Sequence, residues 1–231
     1  MSLARECIGY LETTGSYKHM FFARHVTLQR PERNTTCSVS DVMRRIAHAA
    51  VVDKDQLKLA HKTALAMLQY NNTPWLSERW RLDQLMYFGN DTSFNETSLE
   101  TLHLTSKIGA IGQTSDMTMG DTVSSTEMSD EIRYGINNRS LFFLGIALLE
   151  IAHWQTIEEQ MTDRDGKDQV YAARRLANGS APMGPVYQKI ARKCLQCDFG
   201  FGTDLSNEEL QAAVYRDVIC VLESMIKQLG S

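Results

Sequence analysis

The sequence predicts a mainly α-helical chain with a small β portion, an α+β fold organised around one buried central helix. Three observations predict it. The stretch Ser140–Trp154, Ser-Leu-Phe-Phe-Leu-Gly-Ile-Ala-Leu-Leu-Glu-Ile-Ala-His-Trp, is apolar on nearly every side, as a helix surrounded by other helices must be. Several other segments carry apolar residues at helical spacing. Strand-like pieces are short and confined to the N-terminal side and the middle. The central stretch has about a dozen apolar positions, short of the roughly 20 that a membrane span needs.

A chain of 231 residues can bury a sizeable core,. It is read as a single domain, 1–231, with a strand hairpin region at 7–29 and a helical body at 38–231. In the first region, Ile8–Leu11 and His19–Arg24 flank the turn-like Thr13–Ser16, and Val26–Gln29 is a third extended piece that stops at Pro31,. Residues 31–37 are polar and read as loop. Ser38 or Ser40 can cap a short helix reaching Ala50. Asp53 can cap a longer one, with Leu57, Ala60, Ala64, Leu65 and Leu68 on one stripe, closing before Pro74,. Leu85–Phe88 reads as a strand ending at Gly89.

Residues 89–98 and 112–130 are rich in Ser, Thr, Asp, Gly and Asn and read as flexible loops, with Thr101–Ile108 as a strand between them,. After the central helix, Arg164–Leu176 reads as a helix closed by Asn178-Gly179. Val186–Gln196 is another, with Pro185 in its first turn,. Ser206 and Glu209 have the spacing of a capping box. They open a terminal helix with Leu210, Val214, Val218, Val221, Leu222 and Met225 on one stripe.

The formal charge of −4 argues against a general binder of nucleic acid or anionic membrane,. Arg44–Arg45 and Arg192–Lys193 leave room for a local basic patch. Five cysteines, an odd number spread over a long chain, suit reduced thiols,. No basic segment leads into an apolar run at the N-terminus, so no secretion signal is expected. Cytoplasmic location follows, and the Asn-x-Ser/Thr triplets at Asn34 and Asn95 are taken as chance.

The order of these pieces, with Asn72-Thr-Pro-Trp-Leu, Leu141–Ile151 and Lys193-Cys-Leu-Gln-Cys-Asp-Phe-Gly200, resembles an uncharacterised domain of filamentous fungi. That domain is often found C-terminal to HeLo-like or prion-propagation domains in heterokaryon-incompatibility and innate-immunity-like proteins. The likeness runs from about Glu6 to Leu229. The same order is similar to a protein-kinase C-terminal lobe. Leu144–Glu150 then stands at the lobe's central apolar helix and Cys194-Leu195 at a Cys-Leu pair in a late helix. The resemblance implies a kinase C-lobe-like helical domain.

Kinase chemistry needs a Gly-rich loop, a strand lysine, a His-Arg-Asp loop and an Asp-Phe-Gly aspartate for magnesium. His-Arg-Asp does not occur, and the Asp-Phe-Gly at Asp198–Gly200 follows the Cys-Leu pair, whereas the kinase order needs it before the central apolar helix. Aligning Asp83-Gln-Leu-Met with the kinase Asn-Ile-Leu-Leu places Glu78 at the catalytic aspartate, within Leu76-Ser77-Glu78. At the aligned place before the central helix stands Lys107-Ile-Gly109, and a lysine has donors only and cannot ligate Mg²⁺,.

Cys194-Leu-Gln-Cys197 is half a zinc site with no second pair. Cys220 and His153 could complete it only by accident of folding, and buried structural thiols are the expectation. His153 is expected as a helix-end histidine. His48 and His61 are expected at the surface. Trp75 and Trp80, around Pro74, could line a pocket but are expected as core anchors.

No residue is assigned a catalytic, cofactor-binding or metal-ligating role, and no cofactor is implied. The expected function is non-catalytic: a regulatory or scaffold domain, pseudokinase-like, that mediates protein–protein interaction in fungal incompatibility or innate-immunity-like signalling. Its expected partner is a protein, such as a HeLo-type domain of the same parent chain, with no nucleic acid and no membrane contact by this domain itself. The alternative is a nucleotide- or small-molecule-binding pseudoenzyme.

Overall fold

The computed structural model describes residues 7–12, 18–22, 35–73, 75–77, 79–89, 92–105 and 133–230. The chain divides into two compact units, residues 1–34 and 35–231. In the first, β1 (Cys7–Glu12) pairs antiparallel with β2 (Lys18–Phe22), with a register shift between Cys7 and Gly9. This is the expected hairpin. Val26–Gln29 lies outside the described residues, as do 106–132 with their expected loop.

The second unit is mainly helical with a small antiparallel sheet of order β3-β4-β5. Residues 35–37, expected as loop, form with Ser38 the strand β3 (Thr35–Ser38), which pairs with β4 (Leu85–Gly89) in the register Cys37↔Tyr87. The pairing buries Cys37 and gives the two threonines a sheet position that suits their branching,. Ser38 then caps α1 (Val39–Arg45), its Oγ accepting the Asp41 N–H at 3.2 Å. This helix stops at Arg45 rather than Ala50, and His48–Ala50 is a separate 3₁₀ turn.

α2 (Asp53–Tyr70) is capped by Val52, with Asp53 inside the first turn where its charge suits the helix dipole,. Its buried face carries Leu57, Ala60, Ala64 and Met67, while Leu65, expected on that stripe, is 39% exposed. Part of the expected 89–98 loop is ordered instead as α3 (Glu96–Glu100). Its capping box pairs Asn95 Oδ1 with the Ser98 N–H and Ser98 Oγ with the Asn95 N–H,. β5 is only His103–Leu104.

The central helix α4 (Arg139–His153) starts one residue earlier and ends one residue earlier than expected. Asn138 caps it, and Trp154 closes it in the left-handed conformation at φ 50°. Every residue from Leu144 to Ala152 is buried. It packs on α2, on α5 (Gln169–Ala177) and on α6 (Gly184–Gln196). Two side chains satisfy its backbone from outside: Gln56 Nε2 donates to Ile151 O at 2.7 Å and Tyr187 Oη to Leu148 O at 2.9 Å. Gly145 lets α6 approach, because a Cβ there would lie 2.6 Å from Leu195 Cγ.

The helix expected at Arg164–Leu176 is broken. Asp163–Asp165 is a 3₁₀ turn, Gly166 and Lys167 both take φ 60°, and α5 begins afresh with Asp168 as cap. α6 carries Pro185 in its first turn as expected. Asn207, not Ser206, caps α7 (Glu208–Val214), accepting the Glu209 N–H at 2.8 Å. A π-helical turn, Tyr215–Ile219, joins α7 to α8 (Cys220–Gln228), and α8 packs on α2. Along this terminal helix Leu210, Val214, Val218 and Leu222 are all buried. Four-residue steps would drift around a regular α-helix, and the wide turn takes up the drift.

Among the described residues no helix is long and apolar enough to cross a membrane.

Candidate functional site

Among the described residues the helical unit carries several concave sites, and two of them combine apolar and basic side chains. The first is a groove of about 510 Å³ between α2 and the sheet. α2 supplies Lys62, Leu65, Ala66, Gln69 and Tyr70, and the sheet side supplies Leu85 and Leu102–Leu104. Trp75 stands in the wall at 44% exposure, whereas Trp80 and Trp154 are buried. Beside the groove, Phe88 is also exposed and stacks on the His103 ring with centroids 4.9 Å apart. The Thr101 hydroxyl accepts the Phe88 N–H at 3.1 Å and ties this corner to β4.

β5 has β4 on one side only among the described strands. Thr105 N–H donates to Gln84 O at 2.8 Å, so the Leu85↔Leu104 pair is non-hydrogen-bonded. In that antiparallel arrangement the Leu104 N–H and C=O point away from β4. The groove therefore combines apolar walls, an aromatic rim and an outward-facing piece of backbone. Lys62 and His103 are the basic groups in its wall, which contains no carboxylate among the described residues.

The second site is a cavity of about 590 Å³ beside the N-terminal half of α4. Arg79, Arg81, Arg139 and Lys167 reach it from three separate segments, together with Glu158 and Asp168. Its apolar wall includes Ile136, Phe142, Phe143 and Met161.

Arg81 is fixed from several directions. Its Nη2 lies 3.1 Å from Glu150 and 2.8 Å from Glu158, and its Nη1 donates to Gln169 Oε1 at 2.8 Å. Glu150 comes from the last turn of α4, is 2% exposed, and also accepts the Ile157 N–H at 2.8 Å. Burial pushes the Glu150 carboxyl up, and the Arg81 charge and the Ile157 N–H pull it back,. Arg81 is held above its ordinary value: burial works against its charge, and the two carboxylates outweigh it.

Asp168 caps α5 by accepting the Val170 N–H at 2.8 Å, and it also accepts the Tyr134 hydroxyl. That bond raises the Tyr134 phenol. Arg174 donates to the Tyr134 carbonyl and so ties the approach to α4 to α5.

The sequence-derived candidates are scattered rather than gathered. Glu78 and Lys107 lie outside the described residues, as does Pro74. Cys194 and Cys197 are both buried at the end of α6, and burial raises both thiols, against thiolate chemistry,. Cys220 is exposed on α8. His153 is half-buried at the end of α4, and burial lowers its pKa, with the nearby His48 and Arg175 acting in the same sense. His48 is exposed and His61 is half-buried. Trp80 is the core anchor expected, whereas Trp75 is a rim residue. No group of three or more His, Cys, Asp or Glu residues able to hold a metal ion occurs among the described residues.

Arg81 and Glu150 escaped the sequence reading. The signal available was the lone acid in an otherwise apolar helix, because a buried carboxylate demands a partner.

These features sit in a chain whose residues 20–229 match the domain of unknown function DUF7580, and the chain belongs to that family. No curated protein matches the chain, and no solved structure does.

Proposed function

We propose that this is a non-catalytic regulatory or scaffold domain that docks a protein partner in the groove between α2 and the sheet. The observation that carries the reading is Trp75. A tryptophan held 44% exposed at the rim of an apolar groove is the kind of rigid anchor that dominates protein interfaces. Leu65 supports it, since it is turned out of the core on an otherwise well-packed helix. The likeness to a kinase C-lobe and to the fungal domain supports a pseudokinase-like regulatory role in the cytoplasm. The partner it implies is a HeLo-type domain of the parent protein, in incompatibility or innate-immunity-like signalling.

The test is calorimetric titration of this domain with a HeLo-type domain, for wild type and for Trp75→Ala. Binding that weakens at least about 30-fold in the variant is expected for a hot-spot tryptophan. Absence of binding, or equal binding by the variant, would remove the reading. A parallel titration with ATP and Mg²⁺ is expected to give no saturable heat in the mid-micromolar range. Saturable heat would favour a nucleotide-binding pseudoenzyme instead.

A further inference from the structure

We propose that the arginine-lined cavity beside α4 is a binding site for a small organic anion with an apolar, preferably aromatic, body. The site is separate from the docking groove, and the inference does not depend on that reading. It rests on the convergence of charge with apolar surface. The whole chain carries a formal charge of −4, yet Arg79, Arg81, Arg139 and Lys167 meet in one cavity wall. Such a local reversal of sign concentrates an anionic ligand against the field of the rest of the molecule.

The carboxylates in the wall are already engaged. Glu158 accepts from Arg81 at 2.8 Å. Asp168 accepts the Val170 N–H and the Tyr134 hydroxyl. Their lone pairs serve the fold, and Arg81 is held in place by Glu158, Gln169 and buried Glu150. A guanidinium fixed in advance loses little freedom when a ligand arrives. Arg79 and Arg139 each make another interaction already, so what matters is the number of charges that converge, not vacant donors. Among the described residues Lys167 makes no ion pair, and its left-handed backbone at φ 60° presents it at the rim just before α5.

The charge balance selects the ligand. Four cations stand in the lining with two carboxylates, Glu158 and Asp168, and Glu150 lies behind Arg81. That suits one carboxylate, sulfonate or phosphate-ester group. A triphosphate would bring several negative charges against a wall that already holds carboxylates. The apolar side of the wall, Phe142, Phe143, Ile136 and Met161, would be wasted on a bare inorganic ion. It matches a hydrophobic body, for which buried area supplies about 25 cal/mol per Å². The volume of about 590 Å³ falls within the roughly 300–1,000 Å³ of small-ligand pockets.

The test uses three probes: naphthalene-2-sulfonate, its neutral analogue naphthalen-2-ol, and inorganic sulfate. Each is titrated into wild type, Lys167→Glu, Arg79→Glu/Lys167→Glu, and the groove variant Trp75→Ala. Expected is saturable binding of the sulfonate below about 1 mM, with the naphthol and sulfate at least about tenfold weaker. Lys167→Glu should weaken the sulfonate about tenfold and the double variant more, while Trp75→Ala leaves it unchanged. Both charge-reversed residues are exposed, so folding is not at stake. No saturable binding, naphthol binding as tight as the sulfonate, or affinity unmoved by either charge reversal would overturn the proposal. So would loss of binding in Trp75→Ala, which would place the sulfonate in the groove.

Discussion

Replacing Arg81 by methionine keeps a long apolar stem but removes the charge that neutralises Glu150. Glu150 is 2% exposed and lies 3.1 Å from Arg81 Nη2. Without that partner it keeps the Ile157 N–H and loses its counter-charge. Breaking a buried ion pair by removing one member costs about 3–5 kcal/mol, chiefly because a buried charge is left alone. Against a total stability of about 5–15 kcal/mol, that loss is large. The contact between Arg81 and half-exposed Glu158 adds little to it,.

The sign of the pH dependence follows. The folded pKa of Glu150 is already raised by burial, and losing Arg81 raises it further. A folded acid with a raised pKa is most stabilising, or least costly, below the unfolded carboxyl value of about 4.3, and stability falls as pH climbs to the folded value. The gap between wild type and Arg81→Met therefore widens from about pH 5 to about pH 8. Urea denaturation at both pH values measures it. The double variant Arg81→Met/Glu150→Met should recover most of the loss, because apolar residues of similar size can replace a buried pair. A loss under about 1 kcal/mol at the higher pH, or a gap independent of pH, would refute the reasoning.

Two further perturbations bear on the body of the fold. Gly145→Ala puts a Cβ 2.6 Å from Leu195 Cγ and 2.9 Å from the Leu195 backbone nitrogen. The overpacking cost of about 1–3 kcal/mol should exceed the gain in helix propensity of about 1 kcal/mol, so the melting temperature should fall. A rise would show that α4 and α6 move apart freely. Arg175→Gln should act oppositely to Arg81→Met in its pH dependence. Arg175 holds the Asp165 carboxyl well below the usual carboxylate range, and Thr162 adds its N–H and hydroxyl. That stabilisation is present above about pH 4 and lost as pH falls further, so the gap between wild type and variant should close on acidification. A gap that stays constant down to about pH 2 would contradict the assignment.

The helical body was legible where one periodicity spoke alone. Ser140–Trp154 is apolar on nearly every side, and its helix is displaced by a single residue at each end. β4 and the Pro185-led α6 were equally plain. β3 was not, because Thr35–Ser38 becomes a strand only through pairing with residues 85–89, some fifty positions later. The break at Gly166–Lys167 was hidden because Lys167 carries no signal for a left-handed backbone. Of the candidate sites, Trp75 was visible as an aromatic after a proline, but its exposure depends on what α2 and β5 leave uncovered. The arginine cavity could not be read at all. Its cations lie at 79, 81, 139 and 167, and only the packing of α4 and α5 brings them together.

The π-helical turn at Tyr215–Ile219 makes the terminal helix a joint of fixed phase. Its Cys220 N–H reaches back five residues to the Tyr215 carbonyl. The turn aligns Leu210 and Val214 on one side of the joint with Val218 and Leu222 on the other. Shortening this turn by one residue would leave every hydrogen-bonding group a regular partner, yet would rotate α8 by about 100° relative to α7. Leu222 would swing toward solvent and a polar neighbour toward α2. The irregularity thus sets the azimuth at which α8 meets α2, and a locally tidier helix would dock with the wrong face.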